Sequence, residues 1–308
     1  MGPYMTDVGS LRLCPACGAD SPIVAGEAVW PVRRPCLSCA YVVPVAGGIP
    51  MFAPALADTM MGMDPGSFAF LWQVEATNFW FRCRSRLLTA MIDRYFPRAV
   101  SFLEVGCGNG VVLDAVSRLR RWERLAGSEL HTSGLSFARE RLDPQVELVQ
   151  MDARNIPAQQ TFDVIGAFDV LEHIEEDELV LAQMAKAVRP GGGVVIAVPQ
   201  HPFLWSAADD IAFHVRRYRR REMERKIIAA GFRILRSTSY TSLLFPAMVT
   251  SRLMRGGGAR ADAAESEFRI SPTVNRIFTG ITAIEVRLTM AGISWPFGGS
   301  RVVVAQRN

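Results

Sequence analysis

No part of the chain is apolar for the roughly 20 residues that span a bilayer; its longest apolar runs, such as Gly191 to Val198, fall far short. The opening residues MGPYMTDVGS carry no basic stretch followed by an apolar one, so no secretory signal is read there and a cytoplasmic, non-spanning protein is expected. An excess of one charge is also lacking. Against 30 Asp and Glu stand 34 Lys and Arg, and the resulting +4 permits an acidic partner without demanding one. Disorder is excluded for most of the chain, because 49% of residues are hydrophobic and 21% charged. Histidine is sparse, and the four present can be weighed singly.

The 308 residues are enough for a domain of about 200 residues with a small satellite. Residues 11 to 55 are rich in Pro, Gly, Cys and Val, with short extended runs such as Ala40 to Val45, and read as a small β module within 1–55. Residues 56–98 form a helical arm: from Pro65 to Phe96 the pattern is helix-like, with Phe68, Phe70, Trp72, Phe79, Trp80 and Phe81 interleaved with Arg82, Arg84 and Arg86. From residue 99 onward apolar runs alternate with helical segments. The runs are Val100 to Val105, Leu125 to Ser128, Val146 to Gln150, Phe162 to Phe168, Gly193 to Val198, Phe232 to Tyr240 and Arg301 to Gln306. The helical segments are Val111 to Arg121, Thr132 to Arg141, Glu175 to Val188 and 220 to 230. That alternation predicts an α/β fold, a mainly parallel sheet with helices on both faces. Residues 241–299 interrupt it with apolar helical patterns at Leu243 to Met254 and Val274 to Met290, and Arg255 to Ala264 reads as a low-complexity loop.

Cys14-Pro-Ala-Cys17 and Cys36-Leu-Ser-Cys39 are two C-x₂-C pairs with 18 residues between them, the spacing of a four-thiolate zinc site. A tetrahedral Zn²⁺ satisfies four thiolates at once and supplies stability that so short a segment lacks. With all four positions filled by sulfur, such an ion is structural and not catalytic. Cys83 and Cys107 look unconnected to it.

Ser101-Phe-Leu-Glu-Val-Gly-Cys-Gly-Asn-Gly110 places a glycine turn between an apolar strand and a helix. A dinucleotide fingerprint needs glycine at position 111, where Val111 stands, so a nicotinamide cofactor is disfavoured. Gly106, Gly108 and Gly110 let the main chain turn sharply and approach a ligand closely. Glu129 ends the second strand, where a carboxylate can accept from both hydroxyls of a ribose, and Asp152 ends the third, where it can receive an adenine amino group.

This ordered series resembles the class I S-adenosylmethionine-dependent methyltransferases over residues 99 to 308. Glu104, Gly106, Gly108 and Gly110 match that family's first motif, Glu129 its ribose-binding residue and Asp152 its adenine-side residue; Ala153 and Phe168 are further cofactor-side positions that the resemblance implies. Phe162-Asp-Val-Ile-Gly-Ala-Phe-Asp-Val-Leu-Glu-His173 and Arg189-Pro-Gly-Gly-Gly193 resemble the family's fourth strand and the turn before its fifth. The resemblance implies a Rossmann-like seven-stranded sheet whose last strand is antiparallel, with S-adenosylmethionine as cofactor. The whole pattern also resembles a group of bacterial methyltransferases combining a zinc ribbon, an F-W-F-R arm, a D-V-L-E-H segment and a P-Q-H-P…H-V-R-R-Y segment.

Methyl transfer from a sulfonium needs alignment and exclusion of water, with a base only where the acceptor loses a proton. His201, after the fifth strand, is the first candidate base, followed by His214 and His173. Asp209, Arg217 and Tyr218 are candidates to bind the acceptor. The connection 241–299 is expected to overhang the site as a helical lid whose apolar face, ending in Arg252 and Arg255, could wall an apolar or lipid-linked acceptor, touch a membrane surface or form a dimer contact. The acceptor is expected to be a small, apolar or lipid-linked metabolite. The rival expectation is RNA, held by the ribbon and by Arg216 to Arg221.

Overall fold

The structure, a computed structural model, describes residues 9–255 and 270–308. Most of the loop expected at Arg255 to Ala264 lies outside them. The central sheet contains β5 (Ser101–Val105), β6 (Arg124–Glu129), β7 (Glu147–Gln150), β9 (Phe162–Phe168), β10 (Val188–Pro199), β11 (Phe232–Tyr240) and β12 (Ser300–Arg307). Its order is β11-β12-β10-β9-β5-β6-β7, and β12 runs antiparallel to both of its neighbours while the other pairs are parallel. This is the Rossmann-like, seven-stranded arrangement the sequence resembles. Strands buried on both faces carry unbroken apolar stretches; Val302, Val303, Val304 and Ala305 are all buried.

Helices cover the two faces. On one lie α2 (Phe79–Tyr95), α3 (Val111–Ser117) and α4 (Thr132–Arg141), and on the other α5 (Asp177–Ala187) and α7 (Arg220–Ala229). Asn78 starts α2 by accepting from the Trp80 amide at 2.9 Å. Helix α3 ends four residues earlier than its apolar pattern, because Trp122 Nε1 donates to the Val116 carbonyl while Arg120 turns away to cap the end of α2 at Phe96 and Pro97. The glycine run 191–193 is not a free turn but the bulged entry to β10, where a Cβ at Gly193 would lie 2.2 Å from the Ala305 carbonyl.

The amino-terminal segment shares the main core. Strand β1 (Leu11–Leu13) pairs with β2 (Asp20–Pro22) on one side and with β8 (Ala158–Gln159) on the other. Ile23, Val29 and Trp30 sit in the same apolar cluster as β9 and α5, and the Val29 and Trp30 amides donate to the Glu147 carboxylate. The short hairpin β3 (Val45–Ala46) and β4 (Ile49–Pro50) leads to Met51 and Phe52, which join the exposed edge of β7 at Gln150.

From there the chain crosses the carboxyl ends of the strands. Asp58 accepts from Thr132 at 3.0 Å, the Met61 carbonyl lies 2.9 Å from His131 Nε2, and Gly62 lies against His173. Helix α1 (Ser67–Glu75) then brings Phe68 over the glycine turn. Between β10 and β11 lie α6 (Ala207–Ile211) and α7; between β11 and β12 lie α8 (Phe245–Arg255) and α9 (Pro272–Met290). Helix α9 packs along α2, with Asn275 bridging Phe79 N and Thr77 O and Thr282 against Cys83. No described helix is long and apolar enough to cross a membrane.

Candidate active site

The bend after β5 is made possible by Gly106, Gly108 and Gly110, at φ of 68°, 51° and 74°. Only glycine enters that left-handed region without strain, and space is also restricted: a Cβ at Gly106 would meet Val170 Cγ2 at 2.4 Å. Glu129, from the end of β6, closes the bend. One of its oxygens accepts from Gly108 N at 3.0 Å, the other from Leu130 N and His131 N at 2.7 and 3.1 Å. Asn109 donates to the Phe68 carbonyl, while Glu75 takes an ion pair from Arg141, so α1 is fastened to the turn.

Several buried polar atoms around this bend have no hydrogen-bond partner among the described residues, namely Glu104 Oε2, Asn109 Oδ1 and His131 Nδ1. Buried polar atoms are nearly always paired, so such a group marks a place where a polar ligand fits. Burial outweighs the charge of nearby Arg84 at Glu104 and pushes its carboxyl up to about 8. Asp152 is held by Arg154, whose Nε and Nη2 reach both carboxylate oxygens and whose Nη1 also meets Glu176. Ala153 is buried beside it. The Phe168 ring, by contrast, lies in the core against Gly166; only its carbonyl turns toward the site, accepting from Arg84, which also pairs with Asp169 at 2.7 Å.

The four histidines separate. His201, at φ 65°, stands among Phe203, Phe245 and Phe297, with ring centroids 5.1 to 5.8 Å away. Burial first, then the charges of Arg301 and Arg217, lower its pKa. His173 and His214 meet edge to face with centroids 4.8 Å apart, next to Glu172. Burial and the neighbouring His214 push His173 down to about 3. His131 packs under Phe68.

The expected acceptor-binding residues are engaged internally. Asp209 closes the capping box of α6 with Ser206 and accepts from His214 Nδ1 and Arg217 Nε at 2.8 and 2.7 Å, which keeps its carboxyl down at about 2 despite burial. Tyr218 has no exposed surface, and its hydroxyl donates to Asp177 at 2.7 Å and lies 3.1 Å from the Leu171 carbonyl. It supports the floor of the site and has no polar atom left to face an acceptor. Glu172 and Asp169 were not singled out by sequence reasoning; their signal was the run Asp169-Val-Leu-Glu172-His173, in which a three-residue helical turn gathers the carboxylate and the imidazole.

Cys14 and Cys39 place their sulfurs 3.7 Å apart, as do Cys17 and Cys36, and all four lie within 4.8 Å of one another. Tetrahedral Zn–S bonds of about 2.3 Å require sulfurs about 3.8 Å apart, so the quartet fits a zinc ion. Amides of Cys39 and Ser38 aimed at the Cys36 sulfur lower its pKa to about 6, while hydrogen bonds from the other sulfurs push Cys39 up to about 12.

A seven-stranded sheet of this order, with a glycine bend after β5 and acidic residues at the next two strand ends, defines the class I methyltransferase fold. Residues 103–196 match the family described as "Methyltransferase domain", and the chain has homologues named as S-adenosylmethionine-dependent methyltransferases. A protein of Mycolicibacterium smegmatis named "Probable S-adenosylmethionine-dependent methyltransferase" is 26% identical over 161 residues, 51% of this chain and 60% of that protein. A ubiquinone biosynthesis O-methyltransferase of Albidiferax ferrireducens is 32% identical over 98 residues, 30% of this chain and 38% of its own length. A phosphatidylethanolamine N-methyltransferase of Cereibacter sphaeroides is 37% identical over 100 residues, covering 30% and 48%. The chain thus spans 60% or less of the length of these curated relatives. Among solved structures, Haemonchus contortus phosphoethanolamine N-methyltransferase 2 with S-adenosyl-L-methionine shares the fold with a TM-score of 0.52 at 19% identity, covering 81% of this chain and 58% of that one.

Proposed function

We propose that this protein transfers a methyl group from S-adenosylmethionine to a hydroxyl or amine of a small, apolar or lipid-linked acceptor, and that its cysteine quartet holds a structural zinc ion. The observation carrying the reading is the bend 106–110, where Glu129 bridges the main chain and Glu104 and Asn109 keep buried acceptor atoms unpartnered among the described residues. When bound, the cofactor supplies an electrophilic methyl group. The chain's own residues do the rest. Glu129 and the glycine main chain hold the ribose side, Asp152 and Ala153 the adenine side, and Glu104 presents a carboxyl whose ionised form a cationic amino group would favour. Segment 58–68 lies across the strand ends and excludes water, which strengthens each polar contact beneath it.

An apolar acceptor is supported by the surface around His201. Phe203 and Phe297, whose rings pack on that of His201, are exposed there, and His201, its pKa lowered, is the proposed base, with its Nε2 2.6 Å from the Gln200 side-chain amide nitrogen. Relatives named for ubiquinone biosynthesis and for phosphatidylethanolamine agree with that class. RNA has weaker support: Arg216 pairs with Asp177 and Arg217 with Asp209, which removes two members of the basic stripe. Calorimetric titration with S-adenosylmethionine tests the pocket. Gly106→Arg and Glu129→Ala are each expected to weaken binding at least about tenfold, the loss of one charge-assisted contact or more; unchanged affinity in both would overturn the assignment.

A further inference from the structure

At the carboxyl end of β9, Glu172, His173 and His214 bring a carboxylate oxygen and two ring nitrogens within 4.8 Å of one another. Glu172 is fully buried, and neither of its carboxylate oxygens has a hydrogen-bond partner among the described residues. Removing a carboxylate from water is strongly unfavourable unless a cation meets it, and the nearby Arg84 and Arg217 guanidiniums make no hydrogen bond to it. The His214 Nε2 stands 4.0 Å from Glu172 Oε1, too far for a hydrogen bond but a distance that a shared ion would bridge. The other side of that ring is fixed. Nδ1 faces Asp209 Oδ1 at 2.8 Å, and Asp209 is itself held by the Ser206 amide and Arg217. A carboxylate on one imidazole nitrogen, with the second nitrogen left as a lone pair, is how metal-binding histidines are oriented. His173 Nδ1 is likewise buried with no hydrogen-bond partner among the described residues. Both histidine-bearing segments are built on strained backbone: Asp169 and Phe213, neither of them glycine, take φ of 56°.

We propose that Glu172, His173 and His214 bind one divalent first-row metal ion, in a site separate from the cysteine quartet, and that its open positions take an oxygen of the methyl acceptor. Two imidazoles and a carboxylate suit Mn²⁺, Fe²⁺ or Zn²⁺ and leave coordination positions free. Val170, two residues before Glu172, packs on Gly106, so the cluster stands beside the bend. The metal site does not depend on the methyl-transfer reading. The acceptor half rests on it and narrows the acceptor atom to oxygen, since a hydroxyl bound to the ion gives up its proton to solvent more readily.

The test uses the full chain as purified, with its zinc retained, titrated with Mn²⁺ and followed by electron paramagnetic resonance. One saturable Mn²⁺ per chain is expected, with spin-echo modulation from imidazole nitrogen. Glu172→Gln and His214→Asn should each weaken it at least about tenfold, and Asp209→Asn roughly tenfold, with circular dichroism unchanged. The nitrogen modulation needs no substitution, so a variant that fails to fold leaves the test standing. Absence of a saturable site, or equal affinity in both ligand variants, overturns the metal proposal. Mn²⁺ binding that persists in a protein unable to bind S-adenosylmethionine upholds the metal site and overturns the methyl-transfer reading alone. Displacement of Mn²⁺-bound water by a catechol probe supports the acceptor half, and an unchanged water signal overturns it.

Discussion

Glu104 is where a single residue stores a pH dependence. Its carboxyl, ordinarily at 4.5, is pushed to about 8 by burial that the Arg84 charge only partly offsets. The raised folded value means that stability is full below about 4.5 and is lost as pH rises toward 8, because the unfolded chain releases the proton first. At one pKa unit per roughly 1.4 kcal/mol the loss is a few kcal/mol. Glu104→Gln in the ligand-free protein is expected to flatten the fall of Tm across that interval, and parallel melting curves for variant and parent at every pH would contradict it. The glycines and strand-end acids were legible as residues because their roles are set by backbone geometry and spacing. Whether an acid meets another residue was not: Asp209, Arg217 and Tyr218 read as acceptor contacts, yet each is held by a neighbour.

At the scale of elements, α5 and α7 are locked at Asp177. Its carboxylate accepts from Lys226, Arg216 and Tyr218, and these contacts outweigh burial to hold it below its ordinary value of 3.8. A depressed acid contributes stability above its unfolded pKa and loses it as pH falls below that value. Asp177→Asn should therefore cost about 1–2 kcal/mol at pH 7 by urea unfolding, less than for a fully buried pair because the cations left without their partner, Lys226 and Arg216, are half-buried, and the difference should shrink below pH 3.8. Helix α4 and strands β9 and β11 coincide with the sequence reading, because period and apolar run length specify them directly. The early stop of α3 was not visible, since it depends on where Trp122 and Arg120 find carbonyls.

For the whole molecule, the position of the cysteine module matters more than its size. Trp30 packs edge-on against Phe52 and tilted against Phe162 and donates to the Pro157 carbonyl, so the module and the sheet share one core. Loss of the proposed zinc ion should therefore lower the melting temperature of the entire chain in one cooperative transition, with a change in Trp30 emission. Calorimetry with and without a strong chelator decides this; two separate transitions, with the higher one unmoved, would refute the shared core.

The succession of strands and helices along the chain, the glycine bend, the acids at successive strand ends and the pairing of the two C-x₂-C turns were all determined by sequence alone, because each follows from local periodicity or fixed spacing. Tertiary structure alone decided which polar groups are already partnered. It turned Phe168 inward, surrounded His201 with aromatic rings and brought His214 from beyond β10 to the buried Glu172. Encounters between residues 42 positions apart depend on how whole elements pack, and no short-range pattern in the chain encodes that distance.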